Sequence, residues 1–185
     1  MNAIDKGQYV EGEVEVLESI QRLPIEDRAI IERTLRRYNA ESQVDGYRAD
    51  PSALVQFLVE KRLLVDSPVI FDLGAGPGDL LKRLSNEFPN ANCTGIDLAR
   101  GFVDKFNQQQ RSNARMRMGL IDSPSVFPGD DEIEGGVVSV LTLDRLLYPR
   151  QLAANMSRFT RSRIIATLLP VVAEDDNPSR QGDEK

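Results

Sequence analysis

The sequence predicts an α/β fold: a doubly wound, mostly parallel sheet preceded by N-terminal helices. Two observations carry this. From residue 69 onward, short apolar runs that read as strands alternate with amphipathic stretches that read as helices. The first of those strands runs into a glycine-rich turn, Gly74-Ala75-Gly76-Pro77-Gly78, which opens a helix. Strand–helix alternation implies parallel βαβ units, and right-handed crossovers then place helices on both faces of an open sheet.

The elements follow in order. Val14, Leu17, Ile20 and Leu23 recur at helical spacing until Pro24 interrupts them. A second helix is expected from Ile25 to Tyr38, with Ile30, Ile31 and Leu35 near one stripe. Asn39 to Tyr47 is polar and reads as a loop. Asp50-Pro51 is a helix start, with Asp as N-cap and Pro at the first helical position. That helix carries Leu54, Phe57, Leu58 and Leu64 and stops before Asp66-Ser67-Pro68. Strands are expected at Val69 to Leu73, Cys93 to Ile96, Met116 to Ile121, Val137 to Leu143 and Arg163 to Leu169. Helices are expected after the glycine turn (Leu80, Leu81, Leu84, Phe88), over Phe102 to Gln110, and over Pro149 to Phe159. Ser123 to Gly136 reads as a loop. Three regions result: a helical region over 1–66, a sheet domain over 67–170, and a polar tail over 171–185 whose composition predicts disorder.

Composition excludes several functions. The 185 residues suffice for one domain with a full core, and 41% apolar with 28% charged residues is ordinary for a globular protein. The net charge is −6, which argues against a nucleic-acid partner. Arginines 145, 150, 158, 161 and 163 form a local basic cluster, read as a solvated helix face. The longest apolar runs are too short to span a bilayer, so no membrane partner is expected. No signal segment is visible, and Cys93 is the only cysteine, so a cytoplasmic location is expected. The chain has no histidine, which removes the usual neutral-pH base and the commonest metal ligand; no metal is expected.

The chemistry lies in Phe71-Asp72-Leu73-Gly74-Ala75-Gly76-Pro77-Gly78-Asp79. Glycines permit positive φ and let a ligand approach the backbone closely. A dinucleotide site has the spacing G-x-G-x-x-G, but here Asp79 stands where the third glycine would fall, and its charge would repel a pyrophosphate. A P-loop lysine is also missing. The turn therefore suits a ligand without phosphates. Asp97 ends the next strand, 19 positions after Gly78. An acid at this place accepts from ribose hydroxyls in doubly wound folds; it would equally serve as a cap for the helix that follows.

Residues 69 to 170 resemble the class I S-adenosylmethionine-dependent methyltransferases, especially their small-molecule branch, with a Rossmann-like sheet. The resemblance implies that Gly74, Gly76 and Gly78 line the methionine part of S-adenosylmethionine. It places Asp72 beside the ligand ammonium, or else makes it an acid that fixes the loop. It implies that Asp97 binds the ribose. The family's Gly-Asp after the third strand is absent, since Leu120 follows Gly119. Asp122 is assigned to adenine instead, or to a turn cap before Ser123-Pro124. Val137 to Leu146 resembles the fourth-strand segment that faces the methyl donor. Many relatives carry histidines where this chain has Asp144 and Arg145. The candidate bases are thus Asp122, Asp144 and Tyr148, with Asp144 and Tyr148 preferred; Asp144-Arg145 would otherwise be a surface pair. Tyr38 and Tyr47 are candidates to line the acceptor.

The implied function is methyl transfer to a small-molecule acceptor. The alternative is a non-catalytic or degenerate cofactor-binding module that works as a subunit of another protein. Only 15 residues follow Pro170, too few for the helix and strand pair that end the family's sheet. The sheet is expected to be shortened there, with its edge at the fifth strand covered by the N-terminal helices, a homodimer or a heteromeric partner, or else with the chain itself truncated.

Overall fold

In the computed structural model, the described residues are 18, 20–32, 51–123, 126–127, 131–140, 142, 146–161 and 163–166, with only the backbone described for 164–166. Their elements are α1 (Ser52–Glu60), β1 (Val69–Leu73), α2 (Asp79–Glu87), β2 (Asn92–Asp97), α3 (Arg100–Asn107), β3 (Ala114–Met118), β4 (Gly136–Val140), α4 (Pro149–Ser157) and β5 (Arg163–Ala166). Ahead of them, residues 18 and 20–21 are helical, the chain bends at 22–24, and 25–32 is helical again. Tyr38, Tyr47, Asp144, Arg145 and residues 167–185 lie outside the described residues.

The five strands form one sheet in the order β3-β2-β1-β4-β5, and every pairing is parallel. This is the doubly wound, Rossmann-like α/β sheet that strand–helix alternation predicts. The order reverses between β1 and β4, the place where open sheets of this kind form their ligand crevice. No helix among the described residues is long and apolar enough to cross a membrane.

Period-two alternation sorts the strand side chains onto two cores. On one face Ile70, Cys93, Met116 and Val138 pack with Val55 and Leu58 of α1, Leu81 and Leu84 of α2, and Phe102 and Phe106 of α3. On the other, Leu73, Ile96 and Val137 pack with Leu152 and Met156 of α4 and with Ile121, Val126 and Phe127 from the connection after β3. Phe71, Phe127 and Phe159 meet edge-to-face on that side, with ring centroids 5.0, 5.5 and 5.3 Å apart.

Several boundaries differ from expectation, each for a local reason. The helix expected to carry Leu64 and stop before Asp66 already ends at Glu60 and begins at Ser52, with Pro51 as the flanking cap rather than the first helical residue. Leu63 N–H donates to Leu58 O and Arg62 N–H to Val59 O, the paired bonds of a Schellman ending, with Arg62 in the left-handed position at φ 54. Leu64 and Asp66 also have positive φ, so residues 61–66 form a tight connector and Leu64 reaches the core from outside the helix. β3 starts at Ala114, not Met116, because its register pairs Cys93 with Ala114 and Asp97 with Met118. β3 is an edge strand, and the Asn107 amide covers part of that edge: its Oδ1 accepts from Met116 N–H at 2.8 Å and its Nδ2 donates to Met116 O at 2.9 Å.

Of the arginine cluster, Arg150, Arg161 and Arg163 are exposed and Arg158 is half-buried, and three of them also make specific contacts. Arg158 donates to the carbonyls of Asp131 (3.0 Å) and Phe127 (2.7 Å), Arg163 to those of Met156 and Ser157 (both 3.0 Å), and Arg161 pairs with Glu134 at 3.0 Å. The guanidinium groups of Arg158 and Arg163 bind backbone carbonyls at the end of α4 and in the connection leading to β4, a use that cation placement at helix C-termini favours.

Candidate functional site

The site forms where β1 and β2 end. β1 delivers Asp72 two residues before the turn, on the same face as Ile70 and the α2–α3 core. The turn then runs through three glycines, all with positive φ: Gly74 (75°), Gly76 (53°) and Gly78 (85°). Their surroundings differ. A Cβ on Gly74 would run into the Thr142 side chain, and one on Gly78 into the Phe106 ring. A Cβ on Gly76 would meet nothing within 4 Å. Gly74 and Gly78 are thus turned toward protein, and Gly76 alone faces open space.

Asp97 ties the turn to β2. Its Oδ2 accepts from Gly76 N–H and its Oδ1 from Ala99 N–H, both at 2.8 Å. Gly74 N–H and Ala75 N–H donate to Ile96 O. The carboxylate therefore holds the open-faced glycine and starts α3 at the same time. Two of its acceptor sites are used, and a carboxylate offers about four.

Asp72 is 1% exposed, and its Oδ2 has no hydrogen-bond partner. Burial, then the nearby Asp97 charge, pushes its carboxyl up to about 7, against a smaller opposing pull from the Leu81 amide. Asp97 is also raised by burial, opposed by the amides of Ala99, Gly76 and Leu98. Asp79, the first residue of α2, has a buried oxygen without a partner. The turn thus presents three acids at the start of a helix, a setting that suits a cationic ligand and repels a phosphate.

Asp122 sits elsewhere, on the α4 face. It is 1% exposed, and its Oδ2 accepts from Leu147 N–H (2.7 Å) and Tyr148 N–H (2.8 Å), while Oδ1 has no partner. It fastens the entry to α4. Asn155, fully buried on α4, donates to Ile121 O and Ser123 O at 3.0 Å each, so the two segments are bound from both sides. Tyr148 is exposed, and its hydroxyl donates to Asp27 Oδ2 at 2.8 Å, linking the helical segment 25–32 to α4. That bond, with lesser contributions from residual burial and the Asp27 and Asp122 charges, raises the phenol above its ordinary range. Asp144 is outside the described residues.

Sequence reasoning missed Ser139, Thr142 and Asn155. Ser139 Oγ, buried in β4, donates to Leu73 O at 3.0 Å, and Thr142 Oγ1 lies 3.4 Å from the same carbonyl. They steady the last carbonyl of β1 beside the turn. Nothing in an apolar run such as Val137 to Leu143 distinguishes a hydroxyl aimed at a neighbouring strand. Asn155 likewise reads as an ordinary helix-surface residue.

Residues 71–164 match the methyltransferase domain family. The chain belongs to this family, the S-adenosylmethionine-dependent class that its glycine turn resembles. A malonyl-[acyl-carrier protein] O-methyltransferase of Paenibacillus sp. (strain JDR-2) is 26% identical over 143 residues, covering 72% of this chain and 51% of that protein. A protein of the same name from Anoxybacillus flavithermus is 27% identical over 110 residues, 56% of this chain and 39% of its own. The chain thus spans about half, or less, of the length of these curated relatives. The solved plantazolicin methyltransferase BpumL, in complex with SAH, has the same fold, with a TM-score of 0.56 at 20% identity over 83% of this chain and 62% of that one.

Proposed function

We propose that this chain binds S-adenosylmethionine beyond the ends of β1 and β2 and directs its methyl group to a small-molecule acceptor. The observation that carries the reading is the acidic glycine turn: Gly76 open to a ligand and held by Asp97, with the buried, half-partnered Asp72 beneath. S-adenosylmethionine carries a sulfonium and an ammonium, two cations, and no phosphate. When bound, it supplies a methyl group open to in-line displacement. The residues present fit that group.

On this reading, Asp97 keeps the turn in place and offers its remaining lone pairs to the ribose diol. Asp72 faces the cationic part. Positioning then supplies much of the rate, since displacement at the methyl carbon depends on collinear approach. A general base is needed only if the acceptor must lose a proton in the transition state. Tyr148, with its hydroxyl committed to Asp27 and its acidity weakened, is a poor base, so its proposed role is to hold the helical segment 25–32 beside the acceptor side. Asp144 remains the proposed base. An acceptor already ionised, such as a carboxylate oxygen, needs none, and the O-methyltransferase names of the two curated relatives support an oxygen acceptor.

Calorimetric titration of the protein with S-adenosylmethionine and with NAD tests the cofactor. S-adenosylmethionine should bind and NAD should not; tighter binding of NAD would overturn the reading. Asp97→Ala should weaken S-adenosylmethionine binding by roughly 1.5–3 kcal/mol, the range for hydrogen bonds to a charged group. An unchanged dissociation constant in a folded variant would remove Asp97 from the site. Transfer of a labelled methyl group to small carboxylates, compared with protein and nucleic-acid substrates, tests the acceptor class.

A further inference from the structure

Asp72 poses a problem that the fold itself does not solve. It is buried to 1% exposure on β1, one of its oxygens has no partner, and a second carboxylate, Asp97, stands on the adjacent strand. A buried charge is retained only where an opposite charge or several hydrogen bonds meet it. The neighbouring elements offer little. From β2 come Asp97 and the Cys93 thiol, itself pushed up to about 12 by burial and by Asp72. From α2 come the Leu81 amide and Asp79, with Lys82, Arg83 and Glu87 on its exposed side. β4 has no ionisable residue. Among the described residues no cation answers Asp72.

Asp97 differs in one respect. Both its oxygens accept backbone N–H groups at 2.8 Å, which favours its charged form. The Asp97 charge acts on Asp72 from the adjacent strand, so the two titrate together, and the one with fewer donors holds the shared proton.

We propose that the ligand-free protein carries one proton on the Asp72–Asp97 pair, seated on Asp72, and that docking of a cationic ligand group releases it. The O–H bond of Asp72 breaks, the proton passes to solvent, and the carboxylate is left paired with the ligand's cation. Binding is then linked to pH, tightening as pH rises toward neutrality and levelling once Asp72 is already ionised. This rests on the S-adenosylmethionine reading above.

The test uses S-adenosylhomocysteine, whose ammonium is fully protonated at pH 6, so any proton released comes from the protein. Calorimetry at pH 6 in two buffers of different ionisation enthalpy counts it. With the Asp72 carboxyl near 7, about nine-tenths of a proton should leave per ligand bound. The dissociation constant should tighten about fivefold from pH 6 to pH 7. In Asp72→Asn, proton release and pH slope should both vanish. Infrared difference spectra of the native protein give a check that needs no variant: ligand addition at pH 6 should remove the C=O stretch of a protonated carboxyl. Binding without proton release and without that spectral loss overturns this proposal alone. No binding at either pH, by calorimetry and by equilibrium dialysis, overturns the cofactor reading, and this proposal with it.

Discussion

Asp72→Asn is expected to make the ligand-free protein more stable at pH 8, by about 2–4 kcal/mol, and to change little at pH 4. The asparagine keeps the shape and removes the charge. In the native fold the carboxyl sits at about 7, against 3.8 for its ordinary value. Below 3.8 both folded and unfolded chains are protonated there, and the site costs nothing. Between 3.8 and about 7 the unfolded chain ionises while the folded one stays protonated. Folding must then take up a proton, so stability falls as pH rises. Above about 7 both are ionised, and the full penalty of a buried charge remains. A rise from 3.8 to about 7 corresponds to about 4 kcal/mol as an upper figure. Urea denaturation of both proteins from pH 4 to pH 8 checks it. A variant equally stable at all pH values, or weaker at pH 8, would show that Asp72 is not a penalised charge.

Gly78→Ala and Gly76→Ala are expected to part company. Both positions have positive φ, and a Cβ there costs about 1–2 kcal/mol on its own. At Gly78 the new carbon also meets the Phe106 ring, in a core made of α2, α3 and β3. Overpacking of that kind adds about 1–3 kcal/mol, so Gly78→Ala should lose about 2–5 kcal/mol in all. Gly76→Ala should lose only the backbone share, because nothing lies within 4 Å. Its loss should instead be in S-adenosylmethionine binding, by tenfold or more. Thermal unfolding and calorimetry on the same two proteins separate the roles. Equal stability losses would mean that the open face at Gly76 is misassigned, and unimpaired binding by Gly76→Ala would mean that no ligand passes there.

Much of the sheet was legible in the sequence, for physical reasons. β1, the glycine turn and Asp97 are local: an apolar run, a set of residues that tolerate positive φ, and an acid at a strand end. Pattern reading reaches such features. It failed where the cause is distant or unusual. The end of α1 was missed because Arg62 stands where a helix ending usually has glycine, so the left-handed turn carries no sequence sign. The start of β3 is set by pairing with β2, which its own residues do not announce. The carbonyls that Arg158 and Arg163 bind were not foreseen, because nothing in their spacing shows which ones they will reach. The three glycines read alike in the sequence, and only the packing of Phe106 and Thr142 tells their surroundings apart.

The two cores differ in how far along the chain their parts lie. The core behind β1, β2 and β3 draws on residues 55 to 118, with Val138 as its one later member. The core on the α4 face joins Leu73 and Ile96 to residues 121 to 159. Contacts between near neighbours in sequence form with less loop entropy to overcome. A chain emerging from the ribosome would therefore gain most of its first core, with the Gly76–Asp97 clasp inside it, while the second half was still being made. The turn would exist before the wall opposite it, and a ligand present during synthesis would find half of its crevice already built.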